Sequence, residues 1–335
     1  MSKFNRILII CPANAITAGP EAIHQLVFDL NRLGQNAAIV YHPFNKLHET
    51  PKPYQKYKIT VANYQDFQHE LIIFPEIMTT LALHVKQAQA AIWWMSVNNY
   101  TCIRYGNPFR DHFRYFKNLI KGKRPLRGIR ALKHLLHFAQ SDYANQFLLD
   151  RQIQSFPLSD PIPVYTDPGY LKDLSEKIVN TQRQNIILFN PNKGAKITEK
   201  LKSTFPNLLF KPLQGYNREE LAEIFLSSKI YIDFGHHPGK DRLPREAAIH
   251  GCCVITGLYG SAANPIDLPI SNEYKLDVQS KNFEQNFANI VDSIFTHFED
   301  HYTNLENYRN VIALEPLVFE QQMINAFGIE SALPK

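Results

Sequence analysis

Apolar runs of strand length alternate with helical patterns along residues 1–155. Gly19–Leu33 carries apolar residues at helical spacing and ends before Gly34, which predicts an amphipathic helix. Helices are also predicted over 77–87 and 143–151. The short apolar segments that predict strands are Arg6–Cys11, Asn36–Tyr41, Tyr57–Val61, Leu71–Phe74, Ala90–Met95 and His134–Gln140. Such alternation predicts a parallel sheet covered by helices.

The same alternation returns after a proline-rich stretch. Residues 156–170 hold four prolines and no helical pattern, so they are predicted to be a linker. The later predicted strands are 185–190, 207–211, 230–234 and 252–256, and the later predicted helices are 197–204, 218–226, 244–250, 283–298 and 305–327. The predicted fold class is α/β, with one domain over 1–155, a second over 171–300 and closing helices over 301–335.

Length and composition are consistent with two globular domains. A chain of 335 residues is too long for one comfortable core, and 44% hydrophobic with 20% charged residues is typical of a soluble protein. The apolar run Ile7–Cys11 is far too short to span a membrane, and no signal-peptide cleavage pattern follows it. We therefore expect a cytoplasmic protein. The four cysteines have no C-x-x-C spacing, which favours buried thiols.

The stretch Lys229–Gly260 is predicted to run strand, charged loop, helix, strand. Lys240, Arg242 and Arg245 lie on or beside the start of the helix, where free N–H groups and the positive end of the helix dipole favour an anion. The pattern therefore predicts a phosphate or pyrophosphate site. Glu246 has two open interpretations, an ion-pair partner or an acceptor for sugar hydroxyls.

This stretch, HHPGKDRLPREAAIHGCCVITGLYG, resembles the nucleotide-sugar signature in the C-terminal domain of GT-B glycosyltransferases of the group 1 type. In that comparison Glu246 matches the ribose-binding Glu of the pattern P-x-x-E-A-x-x-x-G, and Gly251 matches its Gly. Pro238 stands where the large retaining families carry a second Glu. The sequence therefore leaves open whether the reaction retains or inverts stereochemistry.

Other residues fall at strand ends of the second domain. FNPNKG resembles the K-G turn of these enzymes, which implies that Lys193 and Gly194 contact the donor diphosphate. Tyr216 follows a predicted strand of the same sheet and is placed to contact the nucleotide base. Ser261 could cap a turn or contact phosphate.

The resemblance implies that a catalytic base comes from the first domain. The loop ANAITAGPEA, which contains Glu21, resembles the glycine-rich loop after the first strand of GT-B enzymes, and Glu21 and Asp111 are the candidate bases. Asn98 lies in WWMSVNNY, which occupies the place of a catalytic or sugar-contacting residue. No D-x-D run in suitable context occurs, so neither a metal nor a further cofactor is expected.

The resemblance implies a GT-B fold, in which two Rossmann-like domains with parallel sheets face a central cleft and the C-terminal helix crosses back. It also implies a metal-independent transferase that moves a sugar from a nucleoside diphosphate sugar to a glycan or lipid-linked acceptor in cell-envelope polysaccharide biosynthesis. A nucleotide-sugar epimerase of the same fold is the alternative enzyme. A noncatalytic protein that binds sugar nucleotides or polyanions is the alternative from another class.

One segment holds the whole basic surplus of the chain. Residues 104–137 contain ten basic residues and one acid, a net charge of +9, whereas the remainder has a net charge of −4. Aromatic residues such as Phe113 and Phe116 interleave with the cations. This pattern favours contact with an anionic membrane surface and a peripheral location there, with a solvated surface helix as the plain alternative. No nucleic-acid partner is expected, because the charged motif elsewhere points to a nucleotide sugar.

Overall fold

The computed structural model describes residues 4–101, 113, 116–117, 128–163 and 168–329. The chain divides into two compact units, unit 1 (Met1–Asp160 with Leu317–Lys335) and unit 2 (Pro161–Pro316). Each unit contains its own parallel sheet with helices packed around it. The predicted α/β class with two parallel sheets is confirmed.

The sheet of unit 1 has the order β2-β1-β3-β4-β5-β6, and all its neighbouring strands are parallel. Its strands are β1 (Arg6–Pro12), β2 (Ala37–His42), β3 (Glu70–Pro75), β4 (Gln89–Trp94), β5 (Leu136–Ala139) and β6 (Phe156–Pro157). Its described helices are α1 (Ala18–Arg32), α2 (Thr79–Ala82), α3 (Val97–Thr101), α4 (Ile129–Leu132) and α5 (Asp142–Leu149).

Continuous apolar runs explain the central strands of unit 1. Leu8 and Ile10 pack into the core on one face of the sheet, and Ile7 and Ile9 pack into the core on the other face. A strand that is buried on both faces reads as an unbroken hydrophobic run, which is why β1 and β3 are visible in the sequence. Because the strands are parallel, the loops that follow them all leave from the same, carboxyl, edge of the sheet.

The sheet of unit 2 has the order β10-β9-β7-β8 and is also parallel. Its strands are β7 (Gln184–Phe189), β8 (Leu209–Pro212), β9 (Ser228–Asp233) and β10 (Cys253–Thr256). Its helices are α6 (Pro168–Asn180), α7 (Ala195–Thr204), α8 (Arg218–Ser227), α9 (Arg242–Ile249), α10 (Phe283–Thr296), α11 (Phe298–Asn304) and the first half of α12 (Glu306–Phe327).

The last helix, α12, belongs to both units. Residues up to Pro316 belong to unit 2, and residues from Leu317 onward belong to unit 1. In unit 1, Phe319, Met323 and Phe327 are buried in the same core cluster as β1. Among the described residues, none of the helices combines the length and the hydrophobicity that a membrane span needs.

Three predicted elements are wrong. Tyr57–Val61 is not a strand, since the chain makes a 3-10 helix over Lys52–Tyr57 and Val61 forms an isolated bridge. The helix predicted over 77–87 is reduced to α2, because the backbone N–H groups of residues 86–88 turn away to bind the carboxylate of Asp66. The proline-rich stretch 156–170, predicted without helix, contains the start of α6.

Candidate functional site

The chain order of the unit 2 sheet reverses between β7 and β9. In open parallel sheets, ligands bind outside the carboxyl ends of the strands at such a reversal. Two loops leave the sheet at this point. We call them the β7 loop, Asn190–Gly194, which leads to α7, and the β9 loop, Phe234–Asp241, which leads to α9.

Glycines bring these two loops into backbone contact. A Cβ atom on Gly194 would lie 2.9 Å from the backbone nitrogen of Gly235, and one on Gly235 would lie 2.7 Å from the Cβ of Lys193. Gly194 also has a φ of +62°, in the left-handed region that glycine favours. A side chain at either position would push the loops apart. The two glycines thus leave a stretch of backbone without side chains, which a ligand can approach closely.

An ion-pair network joins the same two loops. Lys193 Nζ pairs with Asp241 Oδ2 across the loops. Within the β9 loop, His237 Nδ1 lies 3.2 Å from Asp241 Oδ2, and His237 Nε2 lies 3.5 Å from Oδ1 of Asp233, the last residue of β9. Two cationic side chains thus alternate with two carboxylates.

The network favours charged side chains although it is buried. Burial would raise the pKa of Asp233, but the charge of His237 and its hydrogen bond, with help from Lys193, hold that pKa at about 2. Burial would lower the pKa of His237, but Asp233 and Asp241 outweigh it and raise the pKa above its ordinary value. The two carboxylates therefore favour the protonated form of His237, in the same network as the ammonium of Lys193.

Asp233, His237 and Asp241 are also the residues that could hold a metal ion, since their ligand atoms lie within 4.8 Å of one another. Their arrangement favours the internal cations instead. His237 turns a different ring nitrogen toward each carboxylate, and Lys193 already neutralises Asp241. Each carboxylate of the set therefore already has a side-chain partner in this structure.

Arg245 supports the β9 loop from inside. It is 1% exposed, and its guanidinium donates to Glu315 Oε2 at 2.7 Å, to the carbonyl oxygen of Lys240 at 2.8 Å and to that of Asp241 at 3.1 Å. Lys240 Nζ lies 2.8 Å from Oε1 of the same Glu315. Because all three guanidinium nitrogens donate to protein acceptors, we assign Arg245 a supporting role beside the predicted anion site.

Ser261 lies in the loop that follows β10 and binds that loop to the β9 loop by hydrogen bonds. Its hydroxyl donates to the carbonyl oxygen of Gly239 at 2.5 Å, and its N–H donates to that of His237 at 2.9 Å. Gly260 makes this approach possible, since a Cβ there would lie 2.0 Å from the His237 oxygen. Ser261 is 3% exposed. Its hydroxyl therefore caps the loop within the protein.

The remaining predicted donor-site residues are partly exposed. Arg242 is the first residue of α9, and Glu246 follows one turn later. Tyr216 belongs to the loop after β8, where Asn217 caps α8 through a reciprocal bond with Glu220. These residues come from loops and a helix start at the carboxyl ends of β8 and β9, so the sheet brings them to the same edge as the β7 loop.

The predicted catalytic residues belong to the other unit. Glu21 is buried in α1, where its Oε1 accepts hydrogen bonds from Lys56 Nζ at 3.1 Å and from the Tyr57 hydroxyl at 3.3 Å. Asn98 is buried in α3. Asp111 lies outside the described residues.

Sequence reasoning missed Glu76, which follows β3 at the chain reversal of the unit 1 sheet. It is 2% exposed, and it accepts hydrogen bonds from Met95 N at 3.2 Å and from Asn99 Nδ2 at 3.3 Å. Burial raises its pKa to about 7 although these bonds oppose the shift. The signal available in the sequence was a carboxylate placed directly after the buried strand end Phe74–Pro75.

No family model and no curated protein matches this chain. Solved structures match in fold. HepE from Anabaena, solved with UDP and glucose, has a TM-score of 0.62 and 11% identity, covering 96% of this chain and 99% of its own. Sucrose-phosphate synthase from Thermosynechococcus elongatus has a TM-score of 0.59 and 11% identity, covering 96% and 100%.

WaaG, a glycosyltransferase involved in lipopolysaccharide biosynthesis, has a TM-score of 0.58 and 10% identity, covering 96% of this chain and 99% of its own. All three are GT-B glycosyltransferases. The chain therefore has the GT-B fold, as its sequence resemblance implied. At about 10% identity this likeness is one of fold, and the residues of the site must carry any argument about activity.

Proposed function

We propose that the protein is a glycosyltransferase that binds a nucleoside diphosphate sugar at the β7 and β9 loops. The observation that carries the proposal is the glycine-lined contact of these loops at the chain reversal of the unit 2 sheet, with Lys193 and the start of α9 beside it. Backbone N–H groups at a helix start and nearby cations form a ready site for phosphates.

In the proposed reaction, the leaving diphosphate gains negative charge as the glycosidic bond breaks. Lys193 and Arg242 would stabilise that charge at the carboxyl edge of the sheet, and His237, whose protonated form Asp233 and Asp241 favour, would add positive charge nearby. Glu246, one turn into α9, would accept hydrogen bonds from ribose hydroxyls. We propose that these cations replace a divalent metal, so that the reaction is metal-independent.

UDP-glucose is the first donor to test. The HepE structures contain UDP with glucose and UDP-glucose, and this chain shares their fold. We propose a hexosyl donor on this support. The acceptor-side residues of the proposal are Glu21 and Asn98, together with Asp111 from the segment outside the described residues.

The donor proposal is tested by calorimetric titration of UDP and UDP-glucose, with and without a chelator. Lys193→Met should weaken UDP binding by roughly tenfold to a hundredfold, because a charge-assisted hydrogen bond contributes about 1.5–3 kcal/mol. Lys202→Met is the matched control, since Lys202 pairs with Glu199 on the surface of α7. Equal UDP affinity in both variants would remove Lys193 from the site, and chelator-sensitive binding would refute metal independence.

We further propose a glycan or lipid-linked acceptor of the cell envelope, reached at an anionic membrane surface through residues 104–137. The net charge of +9 in this segment supports it, as do Phe113 and Phe116, whose exposed fractions are 74% and 57%. Cations near anionic lipid contribute about 1 kcal/mol each. The protein should co-sediment with phosphatidylglycerol vesicles and remain in the supernatant with neutral phosphatidylcholine vesicles; no difference between the two would overturn the membrane contact.

A further inference from the structure

A second cleft opens on unit 2 where α6 faces α11 and α12. Its volume is about 300 Å³, which is within the range of small-molecule pockets. Its principal lining residues are Leu171, Leu174, Ile178, Ile249, Tyr302 and Arg309. Ile249 ends α9, whereas the β9 loop precedes the start of that helix. An eight-residue helix is about 12 Å long, so this cleft is distinct from the proposed donor site.

Arg309 is the unusual residue of this cleft. It is 8% exposed, and its Nη1 is buried without a hydrogen-bond partner. Its guanidinium stacks on the ring of Tyr302, with Cζ 3.7 Å from the ring centroid. Within the described ranges, no carboxylate forms an ion pair with it. Arg245, which is 1% exposed, has acceptors for all three nitrogens, and the unpartnered Nη1 of Arg309 contrasts with it.

A buried guanidinium needs a counter-charge. Arginine stays cationic at neutral pH, and burying a charge without a partner is costly. Unsatisfied buried groups in native proteins usually mark a missing ion or water. Glu306 also lines the cleft but is exposed and forms no ion pair with Arg309. The partner that this geometry accommodates is therefore an external anion.

The α6 side of the cleft is mainly apolar, whereas α11 and α12 contribute mostly polar residues. Leu171 and Ile178 are half-buried on one face of α6, and Leu174 and Ile249 are buried behind them. The hydroxyl of Ser175, which also lines the cleft, already donates to the carbonyl oxygen of Leu171. A ligand that matches this wall carries an apolar body next to its charge.

We propose that this cleft binds a small oxyanion with a short apolar chain, whose carboxylate or phosphate pairs with the guanidinium of Arg309. Two parallel N–H···O bonds from arginine suit either group. The chain of the ligand lies along Leu171 and Ile178. This site is independent of the donor site, so its test does not depend on glycosyltransferase activity.

The test measures the thermal midpoint of the full chain during titration with hexanoate and with hexyl phosphate. Hexanol, which has the same apolar body without charge, is the control ligand. We expect both anions to stabilise the wild-type protein and hexanol to have little effect. Arg309→Met, which keeps an unbranched apolar stem without the charge, should raise at least tenfold the anion concentration needed for the same rise in thermal midpoint. The hexyl phosphate response must persist in Lys193→Met, since the phosphate would otherwise be bound at the β7 loop.

A second variant covers the case in which Arg309→Met does not fold. Leu171→Glu places a carboxylate on the wall of the same cleft, where it can pair with the guanidinium and compete with the ligand. We expect this variant to fold and to lose the anion response. An unchanged response in either folded variant, or no response to either anion in the wild-type protein, would overturn the proposed site.

Discussion

Two buried glutamates, Glu315 within α12 and Glu76 directly after β3, are held in opposite ways. Glu315 in unit 2 is 3% exposed and pairs with Arg245 at 2.7 Å and with Lys240 at 2.8 Å. Glu76 in unit 1 is 2% exposed, and it accepts hydrogen bonds from the uncharged donors Met95 N and Asn99 Nδ2. Among the described residues, no cationic side chain pairs with Glu76. The two carboxylates are thus similarly buried, but in the part of the chain that the structure describes only that of Glu315 is neutralised by cationic side chains.

The difference follows from what each glutamate holds in place. In unit 2 the cations near the β9 loop need fixed places, and Glu315 holds Arg245, which in turn holds the backbone of Lys240 and Asp241. In unit 1, Glu76 holds the start of α3 by neutral hydrogen bonds, and burial raises its pKa to about 7. Glu315 therefore holds cationic side chains in place, whereas Glu76 can exchange a proton near neutral pH.

The largest expected effect comes from breaking the charged pair. Glu315→Gln leaves Arg245 buried without its carboxylate, and removal of one partner of a buried ion pair costs about 3–5 kcal/mol. We expect the free energy of unfolding, measured with urea, to fall by that amount. The double variant Arg245→Met with Glu315→Met should recover much of the loss, because no uncompensated charge stays buried.

Glu320→Gln is the matched control, because it is the same substitution on the same helix. Glu320 pairs with Arg32 at 2.5 Å, and the two side chains are 36% and 49% exposed. Exposed ion pairs contribute about 0–1 kcal/mol. A loss in Glu320→Gln as large as that in Glu315→Gln would show that the ion pair of Glu315 gains nothing from its burial.

Local patterns in the sequence predicted most of the fold. The strands β1, β3, β4, β7 and β9 are built around short apolar runs, and α1 and α10 have helical spacing, so local sequence was enough to predict them. Predictions failed where contacts with residues distant in sequence determine the local structure. The helix predicted over 77–87 ends early because Asp66, some twenty residues before its end, binds the N–H groups of Lys86, Gln87 and Ala88.

In the candidate site, too, local patterns could be predicted from the sequence and contacts between distant residues could not. Lys193, Gly194 and Arg242 were predicted as site residues because each stands at a strand-to-helix turn, which the sequence displays. The inward role of Arg245 was hidden, since its carboxylate partner lies 70 residues later on another helix. The link between Lys193 and Asp241 spans 48 residues. Glu76 was missed because a raised pKa depends on burial, which no local pattern reports.

The smaller expected effect is a pH dependence set by Glu76. Its pKa is about 7 in the folded protein against 4.5 for an ordinary glutamate. The folded protein therefore holds a proton between these values that the unfolded chain has lost, so the stabilisation is complete below pH 4.5 and is lost as the pH rises through 7. The wild-type protein should lose roughly 3 kcal/mol relative to Glu76→Gln over this window, at about 1.4 kcal/mol per pKa unit.

Asp66→Asn is the control for this titration. Bonds from Ala88, Lys86 and Gln87 lower the pKa of Asp66 below 3.8, although burial opposes them. Its contribution is present above that pH and is lost below it, outside the window of Glu76. Urea unfolding at several pH values between 5 and 8 should therefore show a constant difference for Asp66→Asn and a growing one for Glu76→Gln. A flat difference for Glu76→Gln would mean that its carboxyl group keeps one protonation state throughout, and the contrast with Glu315 would then rest on geometry alone.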